Sequence, residues 1–267
     1  MPGTRLLIRL ATAAALIAAF LAALFWLDRF ALSLVVALIV ALGAFEWARL
    51  SSVGALGSWS YAAVCAGLYY DLARVDGSAV WVCAIATVFW VVGAPAVLRR
   101  GALPNGARLW TGLIVLIPAG VAMSAIPPRL VLTVLALVWI ADTGAYIAGR
   151  ALGKRKLAPK ISPGKTWEGV MGGAAGTLIY AMICAMFSPD LGGRVEGVIW
   201  VPFLAGALAL FALSVLGDLL ESALKRQAGV KDSGRLLPGH GGVLDRIDSA
   251  TAALPVALLL LKAIEAA

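Results

Sequence analysis

Apolar runs about as long as a bilayer is thick decide what this chain can fold into. Roughly 20 apolar residues in helical form cross a hydrocarbon core of about 30 Å. Runs of that kind fall at 8–27, 30–48, 55–71, 78–98, 109–126, 130–149, 167–187, 197–219 and 247–264. The weakest is 55–71, ALGSWSYAAVCAGLYYD, which is short and carries Gly, Ser and Tyr. A helical period is mostly missing, as it is where every face of a helix meets lipid or a neighbouring helix. Backbone polar groups inside lipid must be satisfied within the segment, which leaves helices as the spanning form. The expected fold is therefore all-α: a polytopic integral membrane helical bundle of about nine transmembrane helices. Composition agrees, because 62% hydrophobic and 13% charged residues are too few polar groups to clothe a water-facing domain. The first run follows Arg5 and Arg9 as a signal peptide would, yet it is longer than an ordinary h-region and another span follows at once. It is read as a retained helix.

Basic residues then orient the bundle. With the N-terminus inside, all 22 Lys and Arg residues except Arg29, Arg74, Arg129, Arg194 and Lys262 fall on the inner side, as the positive-inside rule requires. The net charge of +8 is thereby gathered on one face, where anionic lipids and phosphate ligands would feel it. Two basic loops stand out, 150–166 and 220–246. Both fall in the second half, so the chain is read as an N-terminal transmembrane region (1–130, about five spans) and a C-terminal transmembrane region (131–267) that carries these loops. Cys65, Cys83 and Cys184 lie far apart inside apolar runs, so neither a disulfide frame nor a zinc site is expected. GVMGGAAGTLIYA at 169–181 reads as a helix packed closely on a neighbour through its small residues.

Charges near the membrane are costly and usually have a task. Of the 14 acids, Glu46, Asp142, Glu168, Asp218, Glu221, Asp232, Asp245 and Asp248 lie at inner span ends or in the two basic loops. An ion-pair network alone could account for several. Asp142 and Tyr146, four apart, share a helix face, and Gly144 leaves room beside them for a ligand or a helix. In KISPGKTWEG, Ser162 is expected to cap a helix whose first turn holds Pro163, with Lys165 near its N-terminus, where N–H groups favour a phosphate. Asp218, Glu221, Ser222 and Lys225 form a polar stripe at i, i+3, i+4 and i+7. Asp245 and Asp248 present two carboxylates from the first turn of the last helix. A divalent cation would relieve their repulsion, and hard oxygens suit magnesium. The glycines of GHGG, Gly241 and Gly242 among them, can aim N–H groups at an anion. His240 could hydrogen-bond phosphate, pack at a helix end or act as a base. No Walker loop is present. The residue chemistry favours a metal-dependent transferase acting on a phosphorylated lipid.

The stretch SALKRQAGVKDSGRLLPGHGGVLDRID (222–248) resembles the signature of the phosphatidate cytidylyltransferase, or CDP-diacylglycerol synthase, family. DTGAY and SPGKTWEG upstream are similar to further motifs of that family in the expected order, with Gly164 where a lysine is expected. The likeness covers about residues 140–250. It implies a multi-helix membrane enzyme, a homodimer, that condenses CTP with phosphatidic acid to CDP-diacylglycerol and pyrophosphate. Magnesium, and a second, monovalent cation such as K⁺, are implied as cofactors. Membrane lipid, and not nucleic acid, is the implied partner, and a bacterial inner membrane the implied location. On that resemblance Asp218, Asp245 and Asp248 are expected to hold the metal, with Asp142 nearby. Lys225, Arg226, Lys231 and Arg246 would neutralise phosphates, and Ser162, Lys165, Tyr146, Ser222, Asp232, His240, Gly241 and Gly242 would complete the substrate site. Three rivals remain: a CTP-dependent lipid or polyprenol kinase, a CDP-alcohol phosphotransferase and a transporter. The second lacks its D-G-x-x-A-R motif, since DGSAV at 76–80 has no Ala-Arg. The third should place its acids at mid-membrane in two related halves.

Overall fold

A computed structural model describes residues 2–188, 190–191, 195, 199–237, 239 and 241–266, without the side chains of 2–11, 13 and 266. The helices are α1 (Pro2–Trp26), α2 (Arg29–Leu50), α3 (Ala55–Arg74), α4 (Ser78–Val88), α5 (Ala94–Arg100), α6 (Arg108–Ala125), α7 (Pro128–Leu152), α8 (Trp167–Phe187), α9 (Trp200–Gln227) and α10 (Leu244–Ala266). One short hairpin, β1 (Lys156–Ala158) with β2 (Ser162–Thr166), interrupts them. Helices α4 and α5 form one crossing, joined by a π-turn at Phe89–Gly93. Pro95 follows that turn; it has no N–H and crowds the preceding turn, so the helix widens there.

Among the described residues seven helical segments are long and apolar enough to cross a membrane. The segment 55–71 folds as the helix α3 but is not one of them, in keeping with its Gly, Ser and Tyr content. Exposed aromatics mark both ends of the bundle. Trp26, Phe30, Trp81 and Phe187 stand at one end, and Trp59, Trp110 and Trp167 at the other, the pattern of two interfacial girdles. Together with the exposed Leu, Ile and Val side chains between them, this makes an integral membrane protein.

Local sequence explains where the helices begin and end. Asp28 caps α2 by accepting from Ala31 N–H (2.7 Å), and Pro128 starts α7 in a position that needs no donor. Gly101, at φ 76°, closes α5 in the left-handed conformation. The core is centred on α6, buried from Val115 to Val121, and on α10, buried from Thr251 to Leu258. Helix α10 packs against α2, α4 and α6 on one side and α7 and α9 on the other, so one continuous core joins the two regions. Helices α7 and α8 approach through glycine, as the small residues of 169–181 lead one to expect. A Cβ on Gly144 would lie 2.9 Å from the Gly172 carbonyl oxygen, and one on Gly169 would lie 2.8 Å from that of Ala145. The space beside Gly144 therefore holds a helix.

Candidate active site

The polar stripe of α9 is realised, but on a longer helix than the sequence suggests. Helix α9 runs on to Gln227, so residues 220–227 of the expected loop are helical, and Leu219–Lys225 are all buried. The turn is gained because these residues pack under the hairpin and α10 instead of facing solvent. Ser222 Oγ donates to Asp218 Oδ1 (3.1 Å). Lys225 Nζ lies 2.5 Å from Glu221 Oε2 and 2.6 Å from Asp245 Oδ1, tying α9 to α10. Gly217 lets the helices touch, since a Cβ there would strike the Asp248 carbonyl. Asp218 and Asp248 thus meet from different helices. Asp248 feels the negative charges of Asp218 and Asp142, and Glu221 feels those of Asp248 and Asp245. Glu221 Oε1 is buried with no hydrogen-bond partner among the described residues. Five carboxylates therefore share this end of the bundle with two inserted cations, Lys225 and Lys165. Lys165 Nζ sits 2.7 Å from Asp218 Oδ2.

The hairpin corrects the expected helix cap. Ser162 and Pro163 lie in β2, and α8 is capped instead by Thr166, whose Oγ1 accepts from Gly169 N–H (3.1 Å). An extended Ser-Pro-Gly-Lys is what a proline imposes on its predecessor. Lys165 accordingly reaches Asp218 from a strand, two residues ahead of α8. Glu168, in the first turn of α8, accepts from the N–H groups of Lys154 (3.1 Å) and Arg155 (3.2 Å), which fastens the hairpin's entry. Arg226 donates to Ile161 O (3.3 Å) and Val230 O (3.1 Å), so it pins the hairpin to the exit of α9. Tyr146 is exposed and its hydroxyl accepts from Arg150 (3.0 Å). Lys231 and Asp232 are exposed on the loop after α9. Gly241, at φ 83°, closes that loop by accepting from Leu237 N–H (2.9 Å). His240 lies outside the described residues.

Asp245 spends both oxygens on the protein. Oδ1 takes Lys225, while Oδ2 accepts from Gly242 N–H (2.8 Å), Ser233 N–H (2.9 Å) and the Ser233 hydroxyl (3.0 Å). Among the described residues no three acidic side chains converge closely enough to chelate one ion unaided. Asp218, Asp248 and Asp142 keep unshared oxygen lone pairs, a hard donor set that suits a magnesium ion completed by phosphate and water. Glu46 carries a contact that sequence reasoning missed. From α2 it accepts Val243 N–H (3.1 Å) and Leu244 N–H (2.8 Å) at the start of α10, and the Ser233 hydroxyl reaches it at 2.8 Å. Its place near an inner span end was the only signal available.

A cavity of about 650 Å³ opens beside this cluster. Asp142, Asp245, Arg246 and Asp248 line its polar end, and the apolar remainder runs between α1, α2, α6, α7 and α10 past Ile17, Val35, Ala119 and Leu135. Arg246 is exposed and forms no ion pair among the described residues. One wall is thus charged and the rest greasy, which matches a lipid that bears a phosphate.

Comparison with known proteins bears on this geometry. The sequence pattern of the cytidylyltransferase family matches residues 7–264. A phosphatidate cytidylyltransferase of Pseudomonas aeruginosa is 42% identical over 267 residues, covering 95% of this chain and 96% of that protein. One of Haemophilus influenzae is 40% identical, covering 92% and 95%. A third, of Brucella suis, is 54% identical over 119 residues, covering 44% of this chain and 41% of that protein.

Proposed function

This chain belongs to the cytidylyltransferase family, and we propose that it transfers the cytidylyl group of CTP to phosphatidate, giving CDP-diacylglycerol and releasing pyrophosphate. The observation that carries this reading is the cavity that joins Asp142, Asp248 and Arg246 to a long apolar groove. A diacyl lipid fits it with its tails between α1, α2 and α7 and its phosphate at Arg246. CTP approaches from the other side of the carboxylates, where Lys165 and Lys231 supply positive charge. This face is the cytoplasmic one, since CTP is cytoplasmic and the basic residues gather here.

In the reaction a phosphatidate oxygen forms a bond to the α-phosphorus of CTP, and the bond from that phosphorus to the bridging oxygen of pyrophosphate breaks. A phosphate oxygen is already a competent nucleophile, so no side chain need remove a proton. The residues' work is alignment and neutralisation. Asp218 and Asp248, with Asp142 beside them, would hold magnesium. When bound, the ion supplies charge to the phosphate oxygens and brings the two substrates together. Lys165 reaches the same spot through Asp218, and Lys225 keeps Glu221 and Asp245 in place beneath it.

The test uses purified protein with CTP labelled at the α-phosphate, phosphatidate and magnesium. Label should move into the organic phase with one pyrophosphate released per turnover, and Asp248→Asn should insert normally yet lose at least a hundredfold in kcat (about 2.7 kcal/mol). Release of CDP with phosphorylation of the lipid would instead make the protein a kinase.

A further inference from the structure

Glu46 is deeply buried (2% exposed) on α2, far from the signature in sequence, and it donates nothing to the substrate cavity. It nevertheless sits where the loop after α9 meets α10. Its two oxygens accept the Val243 and Leu244 N–H groups, which the first turn of a helix otherwise leaves without partners. The Ser233 hydroxyl lies 2.8 Å from Glu46 Oε2 and 3.0 Å from Asp245 Oδ2, and a hydroxyl has one proton to share between them. The backbone comes this close because the loop has glycines where it passes the carboxylate. A Cβ on either Gly234 or Gly242 would run into Glu46. Other anchors of the loop, such as the Asp245 oxygens and Arg226, belong to the C-terminal region; Glu46 reaches it from the N-terminal one.

We propose that Glu46 is a positioning residue for the nucleotide end of the site. It holds Ser233, Gly234 and residues 242–243 against the start of α10, and with them the exposed Lys231 and Asp232 that immediately precede Ser233. Its effect reaches the substrate through Ser233, Gly242 and Asp245. This rests on the cytidylyltransferase reading for its kinetic consequence, but not for its structural one.

Amide hydrogen exchange at residues 242–244 and steady-state kinetics should be measured on the full chain in detergent, for wild type, Glu46→Gln and Ser233→Ala. Glu46→Gln keeps the size but offers one acceptor where two N–H groups need one each, and turns a donor towards them. Exchange at Val243 and Leu244 should quicken about tenfold or more in Glu46→Gln, the worth of a hydrogen bond to a charged group. KM for CTP should rise by a similar factor while KM for phosphatidate stays within about twofold. Ser233→Ala, which leaves the Glu46 carboxylate in place, should give a smaller change in the same two quantities. Unchanged exchange in Glu46→Gln overturns the proposal. Faster exchange with an unchanged KM for CTP, or an equal rise in both KM values, also overturns it, because Glu46 would then serve stability alone. Exchange is read without substrate, so an error in the assigned reaction would leave that arm intact and show itself in the products.

Discussion

Lys225→Met tests the electrostatic account of the site most sharply. The ammonium group lies 2.5 Å from Glu221 and 2.6 Å from Asp245, and the side chains are 11%, 2% and 7% exposed. Methionine keeps the length and the packing but leaves two carboxylates facing each other with Asp248 nearby. Removing one partner of a buried pair costs about 3–5 kcal/mol, because the surviving charge has lost both water and its counter-ion. Asp245 retains Ser233 and Gly242 as donors, so most of the cost falls on Glu221, and the lower end, about 3 kcal/mol, applies. For a chain of this size that corresponds to a drop in Tm of roughly 6–12 °C. Thermal unfolding in detergent micelles measures it. The double variant Lys225→Met/Glu221→Leu should win back at least half of the loss, since it removes the stranded charge as well. A single variant as stable as wild type, or a double variant no better than the single, refutes the reasoning. Neither variant should turn over substrate at more than about a hundredth of the normal rate, so stability and activity part company in the double.

Two further outcomes follow from the cavity and the hairpin. Val35→Trp fills the apolar groove and should raise KM for phosphatidate about tenfold while leaving KM for CTP unchanged, by kinetics with mixed micelles of defined lipid content. Lys165→Met removes a charge-assisted contact to Asp218 and should raise KM for CTP by about ten- to a hundredfold, with KM for phosphatidate within about twofold.

The spanning helices were legible because lipid asks only for length and apolarity, and those are written residue by residue. The doubtful run at 55–71 showed its ambiguity in the same terms, as a helix whose polar residues keep it less apolar than its neighbours. Helix ends were harder. Residues 220–227 fall in the expected basic loop although Asp218, Glu221, Ser222 and Lys225 already make a helical stripe, and the helix continues because Lys225 finds a partner on α10. Ser162 looked like a cap, but the proline and glycine after it favour extended chain, and Thr166, with Glu168 in the first turn beyond it, takes the part. The polar residues of α9 and α10 could be placed on shared helix faces from their spacing, and Gly217 explains how the helices come together. What spacing could not supply is which acids are already satisfied. Asp245 is turned inward by Ser233 and Gly242, and Glu46 finds its partners 187 to 198 residues further along the chain.

That last distance sets an order of assembly. Glu46 leaves the ribosome 198 residues ahead of Leu244, the amide that completes its shell. At about 5–20 residues per second, the carboxylate waits roughly 10–40 s for its partners to be synthesised. Throughout that interval α2 carries a polar side chain that the finished bundle will bury, without the partners that α10 brings. In a nascent chain truncated before residue 243 the Glu46 carboxylate lacks both the Val243 and Leu244 N–H groups, so the final helix is the piece that completes its hydrogen bonds.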